Sequence, residues 1–247
     1  MSKHSDFILK PQSSILQDAI NVFALIDNGM TSYPAKEYFM QSTFLKMTGA
    51  QEQKFKCVVW ELATVDYTYR YELLREGLGE CSAYKDKNSI FIKLTDYINQ
   101  KQVYTINNYY DIINNATNII NKFCFKFGQY LGNSIKYYDE VVAKTNSFIN
   151  DPKELFKANE HLSGNIGIVS KNKNDDGNNI YGLLWKHRNR CAHNLQSYQD
   201  NSPSFAELDK PLYKFYNYLV FFYLLLLIDY KLIEYYKKFI EITKQVF

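Results

Sequence analysis

Phe55-Lys56-Cys57-Val58-Val59-Trp60-Glu61-Leu62-Ala63-Thr64-Val65 decides the fold class of this chain. Phe55, Val58, Val59, Leu62 and Val65 recur at three-and-four spacing, and the pattern runs on to Tyr69 and Leu73. That is the 3.6-residue period of a helix with one buried stripe, not the two-residue alternation of a half-buried strand. It predicts a helix from Gln51 to about Leu78, closed by Gly77 and Gly79.

The same period extends in both directions. Residues 13–27 begin with a serine cap and stop at Asn28-Gly29, while Tyr33-Pro34 opens a helix whose expected end is Thr48-Gly49. Further helices are expected over 89–100, 107–145, 152–160, 179–196 and 205–245, the longer ones broken at Gly128, at Gly132 and near Asp229-Tyr230. Only 10 Gly and 5 Pro interrupt 247 residues, which favours helices, and no repeat of solenoid period is present. Ser163 to Asn179, with Gly164, Gly167 and a run of Lys, Asn and Asp, reads as a loop. Its glycines are not a phosphate loop, because no Gly-Lys-Ser/Thr follows. The expected architecture is an all-α helical bundle.

Charge narrows the partners. A net +3 with a pI near 8.4 is too weak for a protein that coats nucleic acid by bulk charge, so polyanion binding has to be local. Cys57, Cys81, Cys124 and Cys191 are far apart and form no Cys-x-x-Cys pair, so neither a zinc site nor a disulfide framework is expected. The start, Met1 to Asp6, lacks the apolar core of a secretory signal, which makes a cytoplasmic location the expectation. Tyr218 to Ile228 is apolar or aromatic throughout, but it is shorter than the roughly 20 residues a spanning helix needs. A buried core or subunit-interface helix is expected there, with no membrane contact.

Local basicity is concentrated in Trp185-Lys186-His187-Arg188-Asn189-Arg190-Cys191-Ala192-His193-Asn194, which holds two of the four arginines and two of the four histidines. Lysine supplies the other solvated positive charge, so paired arginines point to a task that needs a planar, permanently charged fork, such as holding phosphate. If residues 180–195 are helical, Ile180, Leu184, Cys191 and Leu195 share one stripe, with His187 and Arg188 at its edges. His193 then lies about 140° from Arg188 around the axis, on the side of Asn189. The pair can act on one phosphate if the helix ends or bends near Ala192, if the arginine swings round, or if two protomers pool their residues.

Arg188-Asn189-Arg190-Cys191-Ala192-His193 resembles the Arg-x(4-6)-His motif of the HEPN superfamily, in the form with Asn after the Arg. The resemblance implies an all-helical, HEPN-like bundle over residues 106–247, with residues 1–105 as an additional N-terminal helical region packing on it. It also implies a metal-independent endoribonuclease of a defence or toxin system, a homodimer in which two motifs line one RNA cleft. The family's catalytic Arg and His fall on Arg188 and His193, and its polar residue after the Arg on Asn189. An antitoxin or a defence complex would be the protein partner. No metal and no cofactor is expected.

The residues are chemically suited to that role. Attack of a ribose 2′-OH on the adjacent phosphorus needs a base, an acid for the departing 5′-oxygen, and a cation for the charge on the crowded phosphorus. An imidazole titrates in the useful range, with an unperturbed pKa of about 6.5. A guanidinium grips the nonbridging oxygens and stays protonated. Lys186, His187 and Arg190 are candidate RNA-binding residues beside the catalytic set. The many tyrosines could stack on bases, but their helical spacing favours core and interface packing. The alternative reading is a non-catalytic, HEPN-like adaptor that binds a protein partner through helix 212–228, with Arg188 and His193 as interface residues.

Overall fold

A helix that is apolar on every face has to be surrounded by others. The computed structural model describes residues 2–23, 25, 33–77, 79–106, 109–128, 136–140, 142–143, 162, 180–193, 210 and 217–246, with the backbone alone at positions 33, 193 and 246. Within it the helix Tyr218–Val246 (here α8) packs against α6 (Tyr109–Phe127), α3 (Tyr33–Val65) and α5 (Tyr84–Lys101). Every residue from Tyr218 to Ile228 is buried, so the apolar run is the centre of the core. Each such leucine is worth about 1.5–3 kcal/mol of transfer from water. No helix among the described residues is long and apolar enough to cross a membrane.

The remaining helices close round this axis. α1 (Lys3–Leu9) lies on α3 and α8, α2 (Ser13–Phe23) on α6 and α3, α4 (Tyr67–Glu76) on α3, and α7 (Ile180–His193) on α3 and α8. The described residues contain no strand, as the sequence period requires. One hydrophobic cluster joins Ile8, Phe55 and Leu94 with Ile120, Leu184 and Leu225, so residues on either side of position 105 contribute to the same core. The helix expected over 152–160 and the loop Ser163–Asn179 lie outside the described residues.

Three boundaries differ from the sequence expectation. α3 runs through Thr48-Gly49 without a break. A helical glycine costs about 1 kcal/mol relative to alanine, which is outweighed by the burial of Met47, Thr48 and Gln51 on either side. The break comes at Asp66 instead. Its carboxylate accepts the Tyr69 N–H at 3.0 Å and starts α4, while Arg70 donates to the carbonyls of Ala63 (2.6 Å) and Thr64 (3.0 Å) and closes α3. Gly77, at φ 77°, ends α4 in a conformation open to glycine and costly for other residues.

The third difference is at Asp229-Tyr230, where α8 continues unbroken. Asp229 is 0% exposed, and its carboxylate accepts from Lys54 Nζ at 2.5 Å and from the Gln12 N–H at 2.8 Å. Lys54 also donates to the Lys10 carbonyl at 2.6 Å. The charge that looked like a helix stop therefore pins α8 to α3 and to the α1–α2 joint. Burial raises the Asp229 carboxyl and lowers the Lys54 ammonium, each opposed by the attraction of its partner.

Candidate functional site

α7 carries the whole Arg-Asn-x-x-x-His run. Leu184, His187 and Cys191 face inward and Lys186 and Arg190 outward, with Arg188 and Asn189 at the rim. The helix is unbroken through Ala192 to His193, so it does not end short of the histidine. A straight helix then keeps positions 188 and 193 about 140° apart. The side chain of His193 lies outside the described residues.

Arg188 is already engaged. Its Nη2 lies 3.1 Å from both carboxylate oxygens of Glu52 on α3, and its Nη1 donates to Asn189 Oδ1 at 3.1 Å. The side chains of the ion pair are 21% and 11% exposed, so a phosphate reaching this guanidinium has to compete with a partly desolvated carboxylate. Asn189 therefore orients Arg188 directly.

The arrangement corrects one expected RNA contact. His187 is 1% exposed, shut in by Phe44 (5.2 Å between ring centroids), Tyr218 (5.1 Å) and Phe221 (5.7 Å), with Cys191 Sγ 3.6 Å from Nε2. Helical rotation put it at the edge of the stripe, and the aromatic residues of α3 and α8 extend the core over that edge. It anchors α7 and presents no group to phosphate. Lys186 and Arg190 are exposed on the outer face of α7.

Burial pushes the His187 imidazole down to about 3, with help from the Arg190 charge. Between about pH 3 and the ordinary value near 6.5, the unfolded chain binds a proton that the folded chain refuses, so stability rises with pH across that window and is lost as pH falls through it. His187→Leu is expected to flatten the pH dependence of urea unfolding between pH 7 and pH 4.5, by up to about 1.4 kcal/mol per pH unit. Identical slopes in wild type and variant would contradict a neutral buried ring.

Behind Arg188 lies a buried lysine that the motif does not reveal. Lys87 is 1% exposed, its Nζ donates to Gln51 Oε1 at 2.9 Å and sits 5.5 Å from the centre of the Tyr181 ring. Burial lowers its ammonium to about 7 against the pull of Glu52, and the charge of Arg188 lowers it further. Glu52 is thus the ion-pair partner of Arg188 at the rim, and its charge also acts on Lys87 inside. A signal for Lys87 exists in the sequence: it occupies the apolar stripe of α5, in register with Ile90, Phe91, Leu94 and Ile98. Glu52 has none, because its partner is 136 residues away.

Among the described residues, no group of three or more His, Cys, Asp or Glu side chains is placed to hold a metal ion. All four cysteines are free thiols. Comparison of the chain with protein-family models, with curated proteins and with solved structures found no match.

Proposed function

We propose that this chain is a HEPN-type, metal-independent endoribonuclease that cleaves RNA by attack of a ribose 2′-OH, acting as a homodimer in a defence or toxin role. The observation that carries this reading is the setting of Arg188. In an all-helical chain, the Arg-Asn-x-x-x-His run lies on one helix, with buried residues fixing its inner face and the guanidinium held at the rim by Glu52 and Asn189. A phosphate that displaces Glu52 would meet a fork already oriented by Asn189, at little entropic cost.

In the proposed reaction Arg188 binds the nonbridging oxygens and stabilises the charge that grows on them. One imidazole takes the 2′-OH proton as O2′ bonds to phosphorus, and a second protonates O5′ as the P–O5′ bond breaks. A single chain supplies one His193, so acid and base both being histidine requires two protomers. This also meets the rotation of about 140° between the positions, since Arg188 of one copy can face His193 of the other. Lys186 and Arg190 would hold the flanking phosphates.

The test is digestion of single-stranded RNA in excess EDTA. Fragments ending in 2′,3′-cyclic phosphate and 5′-hydroxyl are expected, and a substrate with a 2′-deoxy residue at the cleaved position should remain whole there. Loss of all cleavage in EDTA, or cleavage of the deoxy position, would overturn the mechanism. The Glu52–Arg188 ion pair favours one other reading, a HEPN-like adaptor in which the arginine is structural; its partner, such as an antitoxin, would cover the face of Lys186 and Arg190, because Tyr218 to Ile228 of the docking helix expected from the sequence is buried in the chain's own core. On that reading Arg188→Ala lowers stability and has no cleavage to abolish.

A further inference from the structure

The outer faces of α2 and α6 form a groove of about 640 Å³ that neither the α7 motif nor the core explains. Gln17 and Asn21 line it from α2, and Asn118, Asn121, Lys122, Phe125 and Lys126 from α6. Phe125 is 84% exposed although α6 buries seven other residues, among them Phe123 and Phe127, two positions away on either side. From Asn114 to Lys126 the exposed face of α6 carries amides, two lysines and this ring, and no carboxylate. Among the described residues that line the groove, none is acidic.

We infer that the α2–α6 groove binds single-stranded nucleic acid, with Phe125 stacking on a base, Lys122 and Lys126 on phosphates, and the amides of Asn21, Asn118 and Asn121 on base edges. Each component follows from the chemistry of the lining. An aromatic ring left in water beside cations offers a base the stacking surface it loses on leaving a helix. Lys122 and Lys126 are one helical turn apart, about 6 Å along the axis, which is close to the spacing of adjacent phosphates in an extended strand. Amides donate and accept, so they read base edges without adding charge, and Gln17 Nε2 already donates to Asn21 Oδ1 at 3.4 Å, which orients that amide. An acidic protein would satisfy the lysines but would leave the row of amides without a purpose.

This inference stands on different helices from Arg188 and does not need the chain to be a nuclease. The experiment is fluorescence anisotropy of the full chain with labelled twelve-residue oligodeoxyuridylate, which has no 2′-OH for the proposed cleavage, over a range of salt. Phe125→Ala is expected to weaken binding about tenfold or more. Lys122→Gln with Lys126→Gln should lower the slope of log affinity against log salt by about 1.4, from about 0.7 for each of two contacts. All three positions are exposed, so circular dichroism should be unchanged. Absence of binding by wild type, an unchanged slope in the double variant, or equal competition by polyglutamate would each overturn the proposal.

Discussion

Arg188→Ala is expected to lower the rate of RNA cleavage by about 10²–10³-fold, the typical effect of removing one charge-stabilising donor from a transition state. His193→Ala should cost about 10²–10⁴-fold, as loss of an acid–base group does. Arg188→Lys keeps the charge but not the two-pronged geometry, so it should recover only part of the loss. Because Arg188 also balances Glu52, the alanine variant leaves a carboxylate at 11% exposure without its cation, and a modest fall in melting temperature will accompany the kinetic effect. The two are separable. Glu52→Gln together with Arg188→Ala removes the unbalanced charge and should restore stability while cleavage stays low. Cleavage at the wild-type rate by either single alanine variant would remove the catalytic assignment.

Asp229→Ala should destabilise the chain by about 3–5 kcal/mol, measured by urea unfolding, because it strands the Lys54 ammonium at 2% exposure and orphans the Gln12 N–H. The magnitude comes from uncompensated burial of charge. Replacing the pair together, Lys54→Met with Asp229→Leu, is accordingly expected to recover part of the loss, since apolar side chains of similar volume have no such desolvation cost. The Gln12 N–H still lacks an acceptor in that double variant, so recovery should stop about 1–3 kcal/mol short. If Asp229→Ala alone changed stability by less than about 1 kcal/mol, the ion pair could not be the element that locks α8 to α3.

The helical class of the fold was legible because period is a local property. Phe55, Val58, Val59 and Leu62 mark α3 wherever it packs, and Pro34 and Gly77 act within a few residues of themselves, whereas the apolar period runs on through Asp66 and hid the break there. Thr48-Gly49 and Asp229-Tyr230 misled for the same reason. A glycine inside a helix and an aspartate in an apolar run both read as stops until their partners are known, and those partners are the surrounding core in one case and Lys54, 175 residues away, in the other.

The candidate site divides the same way. The concentration of Arg188, Asn189, Arg190 and His193, and their places around one helix, follow from spacing alone. That His187 is an anchor of the core, that Arg188 is held by Glu52, and that Lys87 waits behind them depended on α3, α5 and α8 arriving from distant parts of the chain. Spacing fixes which direction a side chain leaves its helix. What it meets there, and whether its charge is solvated, paired or buried, is set by the packing of the other helices.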